Sequence, residues 1–269
     1  MAKYLISARL IVGTLAIFLS AHRTHALDIY VEESERFANL VLTGTVNQGD
    51  ATRFRQTVLD VARRNKPIMY VKTYSPGGSL YDGIEIGKMV RMLRPTTLAP
   101  NLRNDFGDER HCYSDQLGGN FYFNPRTGAG DRRCECASSC FIIWAGGWAR
   151  RGTVLGVHRM RYSDIAGVDP MEAERRYTKV MAELKAYFQE ISIPDAIISR
   201  NMATGSDILH YLTAQERSLI PILAPSTYEL AVAQCGSTEA RQGTGRCLDR
   251  IQYQEAVSGI SEFQKMHQR

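Results

Sequence analysis

The stretch CECASSCFIIWAGGWARRGTVLGVHR, residues 134–159, sets small hydroxyl and thiol side chains against an apolar helix pattern and a strand pattern. Phe141, Ile142, Ile143 and Trp144 run without a polar break, so 138–144 reads as a helix too apolar to lie on a surface. TVLGVHR, 153–159, reads as a buried strand. Ser138 and Ser139 stand at the helix start, where the first N–H groups lack intrahelical acceptors and the dipole is positive. A serine there commonly caps the helix. A serine used as a nucleophile needs a base beside it, and imidazole is the usual one. Beyond residue 26 the histidines are His111, His158, His210 and His267, and of these His158 directly follows a core-like strand.

Working outward, NLVLTGTV (39–46) is rich in β-branched residues and predicts a strand. Asp50 to Arg64 places Phe54, Val58, Leu59 and Val61 at helical spacing. Pro67 precedes a second strand, IMYVKTY (68–74), which Ser75-Pro76-Gly77-Gly78 ends, and Leu80 to Leu93 is helical again through Ile84, Ile86 and Val90. Strand, helix, strand, helix at this spacing predicts an α/β domain with crossover connections. Adjacent glycines after a proline let a backbone N–H turn outward, where it can serve a developing oxyanion or merely close a strand-to-helix turn. Residues 95–133 are rich in Gly, Asn, Asp and Arg and read as a long inserted loop. Residues 169–191 form the longest amphipathic pattern, with Met171, Tyr177, Val180, Met181, Leu184 and Phe188 on one stripe, and Pro194 follows it. Residues 226–269 read as a peripheral tail in which Cys235 and Cys247 close a Gly-containing loop.

Residues 1–26 have the layout of a secretory signal peptide: Lys3 and Arg9, the apolar run LIVGTLAIFLS, then THA ending at Ala26. The apolar run is short for a membrane span. Removing this segment removes Lys3, Arg9 and Arg23 and no acid, so 33 basic residues become 30 against 28 acidic, a net charge of +2 rather than +5. No basic block with interleaved aromatics occurs, so nucleic acid is not an implied partner, and stable membrane insertion after cleavage is not expected. The expected location is secreted, in a periplasm-like oxidising compartment, because all six cysteines survive cleavage and their number is even. Cys235 is expected to pair with Cys247, and Cys112 with Cys134 or Cys136. Zinc on Cys134, Cys136 and Cys140 lacks a second ligand pair at a usual spacing, so no metal or other cofactor is expected.

The order of these pieces resembles the Clp protease proteolytic subunits and their crotonase-like relatives over residues 38–222. LVLTGTV, the helix after it and YSPGG resemble that family's first half; CASSC, the alanine-glycine pair position at Gly146-Gly147 and VHR resemble the block carrying its serine and histidine. The helix at 169–191 and YLTAQE (211–216) resemble its following helix and strand. The resemblance implies a crotonase-like α/β fold of repeated strand-strand-helix units with a long inserted loop: a domain over 27–225, the insertion at about 95–133, and a disulfide-containing tail over 226–269. It further implies a serine endopeptidase with Ser138 as nucleophile, His158 as general base and the N–H groups of Gly78 and Ser139 as oxyanion hole, acting on peptide or protein substrates, with a homo-oligomer as a candidate assembly. Tyr74 stands where the family has asparagine, and Leu209-His210 holds no acid, so the acid of a triad falls to Asp207. Ser139 and Cys140 are lesser candidate nucleophiles. The rival implication is a non-catalytic scaffold or peptide-binding module on the same fold; acyl-thioester chemistry and a Ser-Lys dyad through Lys72 or Lys88 have less support.

Overall fold

The computed structural model describes residues 27–106, 109–114, 119–124, 129–130, 134–160 and 169–267, with backbone alone from 102 to 130. The expected signal peptide, 1–26, lies outside the described residues.

The chain opens with β1 (Asp28–Glu33) and β2 (Ala38–Thr43), an antiparallel pair. Helix α1 (Asp50–Arg63) then crosses to β3 (Ile68–Tyr74), and α2 (Leu80–Leu93) crosses to β4 (Thr96–Leu98). β2, β3, β4 and the later β10 (Ala149–Arg151) are parallel neighbours, giving a five-stranded sheet in the order β1-β2-β3-β4-β10. Parallel strands need crossover connections, and the amphipathic helices supply them while covering the sheet. Phe54, Val58 and Val61 of α1, Ile86, Val90 and Leu93 of α2, and Leu40, Leu42, Ile68 and Val71 of the sheet form the first core. The fold is therefore the α/β architecture expected from the alternation of strand and helix patterns.

The segment expected as a loop at 95–133 is not structureless. After β4 it folds into β5 (Leu102–Phe106), β6 (Glu109–Ser114), β7 (Gly119–Asn124) and β8 (Ala129–Gly130), an antiparallel four-stranded sheet. Dense Gly, Asn and Arg hid the short alternating runs, because turn residues between strands of five or six dominate the composition.

Beyond it come β9 (Cys136–Ala137), α3 (Ser139–Ala145), β10, β11 (Leu155–Val157), α4 (Pro170–Glu190), α5 (Asp195–Ala203), β12 (His210–Tyr211), α6 (Ala214–Leu219), α7 (Pro225–Gln242) and α8 (Arg246–His267). β12, β11 and β9 make a separate three-stranded sheet. It shares a second core with α3, α4 and α5 through Phe141, Ile142, Trp144, Leu184, Phe188 and Ile198. On α4 the expected stripe holds for Val180, Leu184 and Phe188, whereas Met171, in its first turn, is 75% exposed.

The C-terminal segment, expected as a peripheral tail, is two long helices. Ile260 and Phe263 of α8 join the first core, and Gln252 Nε2 donates to the Met69 carbonyl of β3 at 2.8 Å. Leu248, Ile251, Ile260 and Phe263 recur at helical spacing; Leu248 and Ile251 pack with Trp148, Ala149 and Leu223 in a third core, while Ile260 and Phe263 enter the first. Cys235 and Cys247 are bonded as expected, linking α7 to α8. Among the described residues no helix is long and apolar enough to cross a membrane.

Candidate functional site

β9 and β11 run parallel, with Leu155 opposite Cys136 and Gly156 opposite Ala137. Both strands therefore end at the same edge, one delivering Ser138 and the other His158. β12 is antiparallel to β11, with Val157 opposite His210, so the residues entering β12 reach that edge too, and Asp207 lies three residues before it. A parallel bridge from Ser75 to Cys136 brings the SPGG turn to the same place. The topology gathers four pieces that lie far apart in sequence.

At the centre is a sharp strand-to-helix elbow. Ser138 has φ 56° and ψ −123°, a conformation that L residues other than glycine rarely adopt. Its N–H donates to the Gly156 carbonyl at 2.9 Å, and its own carbonyl accepts from Phe141 N–H at 3.0 Å. Its side chain caps nothing in α3. Ser139, by contrast, is buried, and its hydroxyl has no hydrogen-bond partner among the described residues. Cys140 is bonded to Cys136, so it offers no thiolate. The same bond excludes Cys136 as partner of Cys112. Cys134 is also disulfide-bonded, while the Cys112 side chain lies outside the described residues.

The SPGG turn packs directly on the elbow. A Cβ on residue 77 would lie 2.5 Å from the Ser138 Cβ and from the Ala137 carbonyl oxygen, and φ there is +93°. At residue 78, where φ is +144°, a Cβ would collide with the Val46 carbonyl. Only glycine fits both positions. Among the described residues neither the Gly78 nor the Ser139 N–H donates to a backbone carbonyl. Gly78 is exposed at the cavity and the Ser139 N–H belongs to the first turn of α3. Asp82, at the start of α2, braces the turn. Its Oδ2 accepts from the Ser79 hydroxyl at 2.7 Å, and its Oδ1 accepts from Gly49 N–H at 3.0 Å and Ala51 N–H at 2.9 Å.

These residues share a cavity of about 1060 Å3. Ser138, His158, Asp207 and Gly78 all line it. Leu80, Ile142, Leu184 and Ile208 supply apolar wall, and Arg176 and Asp82 supply charge. Arg176 is balanced by Glu172, 2.8 Å away on the preceding turn of α4. Asp207 itself is exposed, and its carboxylate folds back beside Gly205. Asn201 Nδ2 donates to the His158 carbonyl at 3.1 Å, and Arg159 N–H donates to the Thr204 carbonyl at 3.1 Å, so the exit of β11 is tied to the end of α5.

Behind the site, His210 and Glu216 clamp β12 to α6, with Nε2 to Oε2 at 2.9 Å. Burial raises the Glu216 pKa, but the Thr213 N–H, the His210 ring and the Thr213 hydroxyl together outweigh it and hold the carboxyl at about 2. Tyr211 donates to the buried Glu135, whose own carbonyl accepts from Ser75 N–H at 2.8 Å. Sequence reasoning missed Glu135, Asn201 and Asp82, which sit in no recognisable motif, and the His210–Glu216 pair. The S/T-x-x-E signal in Thr213 to Glu216 was available and marks the capping box of α6.

Among the described residues one cluster, Cys235, Glu239 and Cys247, has ligand atoms within 4.8 Å of one another. Its two sulfurs are joined to each other, so it provides no thiolates.

No family model matches the chain, and no curated protein matches it. Among solved structures it is similar to ClpP1 from Listeria monocytogenes, at 16% identity and a TM-score of 0.39, over 69% of this chain and 88% of that one. A point mutant of the same Listeria protein gives a TM-score of 0.42 at the same identity and coverage.

Proposed function

We propose that the chain is a serine endopeptidase that works outside the cytoplasm after cleavage behind Ala26. The observation that carries this reading is the backbone of Ser138. A conformation at φ 56° and ψ −123° costs a non-glycine residue about 1–3 kcal/mol and persists where its surroundings over-determine it, commonly at active sites. A strained serine between a strand and a helix, lining a cavity, is the arrangement of a nucleophile elbow. The capping alternative predicts a hydroxyl bonded to the first turn of α3, and Ser138 makes no such bond. This weighs against a scaffold that merely retains its serines. Disulfides within the domain favour an oxidising compartment.

The chemistry follows from the roles. His158 takes the Ser138 proton as Oγ attacks a peptide carbonyl. The negative charge that develops on the carbonyl oxygen falls between the N–H groups of Gly78 and Ser139. His158 then returns the proton to the departing amine, and water, activated by the same imidazole, releases the acyl group from Ser138. Asp207 is the acid available to orient the ring. The apolar wall of Leu80, Ile142, Leu184 and Ile208 suits an extended peptide with an apolar side chain near the cleaved bond.

The test is covalent capture by a fluorophosphonate probe. Mature, oxidised wild-type protein should label, Ser138→Ala should not, and His158→Ala should fall to a small fraction of wild type while both variants keep their melting temperatures. A folded wild-type protein that never labels, or a Ser138→Ala protein that labels normally, defeats the reading.

A further inference from the structure

We propose that the Cys136–Cys140 disulfide is a positioning element of the Ser138 elbow, a covalent brace on the nucleophile's backbone; this rests on the endopeptidase reading above. The bond closes a ring around Ala137, Ser138 and Ser139 alone. Its two ends sit on different elements, Cys136 on β9 and Cys140 in the first turn of α3. Four residue steps of extended chain would span roughly 13 Å, and here the two Cα atoms are held 5.1 Å apart. The chain between them must fold back sharply, and Ser138 is where it does so.

The location separates this bond from an ordinary staple. A cross-link over so few residues restrains little of the unfolded chain, less than the twelve-residue span between Cys235 and Cys247. Cys136 and Cys140 are 0% and 1% exposed within the second core, which shields the bond from solvent reductants. The backbone hydrogen bonds at the elbow are Ala137 N–H to Ser75, Ser138 N–H to Gly156, and Phe141 N–H to Ser138, and the SPGG turn packs against its side chain. None of these contacts joins the two ends of the turn covalently, so without the disulfide a strained non-glycine residue can relax toward ordinary φ and ψ. Relaxation would move the hydroxyl relative to a carbonyl seated at the Gly78 and Ser139 donors, and misplacement of about 1 Å can cost 100-fold in rate.

Two variants remove the bond at the site: Cys136→Ala with Cys140→Ala, and Cys136→Val with Cys140→Ala, which restores volume without the link. Cys235→Ala with Cys247→Ala removes the remote bond as a control. Each is read by saturable fluorophosphonate labelling, separating the maximal labelling rate from the half-saturating concentration, with melting temperature alongside. Both site variants should lose at least about tenfold in maximal rate with the half-saturating concentration within about twofold of wild type. The control should label as wild type even if it melts earlier. Folded site variants that label at the wild-type rate overturn the proposal, as does a control that loses as much. Failure of both site variants to fold, while the control folds, also overturns it by assigning the bond to the whole domain. Wild-type protein that does not label defeats the endopeptidase reading first, and the brace then has no nucleophile to hold.

Discussion

The five-stranded sheet and the three-stranded sheet are held in place by different means. In the first, β2 and β3 bury Leu40, Leu42, Ile68 and Val71 against helices on neighbouring layers, and α8 adds Ile260 and Phe263. Its position is set by apolar area. In the second, the strands are two or three residues long and can bury little by themselves. Leu155 and Val157 join the second core, and the strand ends are further fixed by one disulfide, Cys136 to Cys140, and by polar ties: Tyr211 to Glu135, His210 to Glu216, and Asn201 to the His158 carbonyl. Every candidate catalytic residue sits just beyond the end of a small-sheet strand, in the first turn of α3, or in the turn bridged to that sheet. Apolar packing tolerates small shifts that directional bonds do not, so the difference separates what keeps the chain folded from what keeps the site aligned.

The largest expected effect lies in the big sheet. Phe263→Ala empties a fully buried ring site between α8 and the first core and should cost about 3–5 kcal/mol of stability, measured by denaturant unfolding. The folded fraction should still label at the wild-type rate, because neither the hydrogen bonds named at the elbow nor its disulfide involve α8. A labelling rate that falls in step with stability would break the division between the two sheets.

A smaller effect sits in the polar ties. The Glu216 carboxyl ionises at about 2, below the ordinary carboxylate value of 4.5, so it binds fewer protons folded than unfolded. Its contribution is fully present above pH 4.5 and is lost as pH falls toward 2. With solvent screening allowed for, it amounts to something on the order of 2 kcal/mol. Glu216→Gln should lower stability at pH 7 by roughly that amount and flatten the acid limb of the stability curve. An unchanged slope between pH 5 and 2 would show that the clamp on β12 is not electrostatic.

The same division explains what was legible in the sequence. β3 and α2 match the ranges read from sequence, because Pro67 and SPGG mark their ends and apolar periodicity fills them. Ser138 and His158 were legible as residues at the ends of apolar elements, and Gly78 as half of a glycine pair. The ties that align them were not. Asp82 reaches partners 31 and 33 residues away, and Asn201 acts on His158 across 43. Such bonds leave no local period or spacing. α7 and α8 were misread because Gly236, Gly243 and Gly245 suggested a loop, although the apolar face of α8 carries the helical period clearly.

The smallest expected effect has the opposite sign and bears on the elbow itself. Ser138 occupies a backbone conformation that glycine adopts without penalty. Ser138→Gly therefore removes native-state strain of about 1–3 kcal/mol. It also makes the unfolded chain more flexible, which takes back about 0.4–1 kcal/mol. The net expectation is a gain of about 1 kcal/mol, read as a melting temperature roughly 2–4 °C higher for a domain of this size. Ser138→Ala serves as reference: it removes the hydroxyl but keeps the Cβ, so it should abolish labelling without the gain. A glycine variant more stable than the alanine variant would mean that the fold carries strain at the one residue proposed to react, which is the stability-for-function exchange expected of an active site. Equal melting temperatures would mean that the elbow is unstrained in solution. The observation on which the endopeptidase reading rests would then be gone, even if the cavity and its histidine remained.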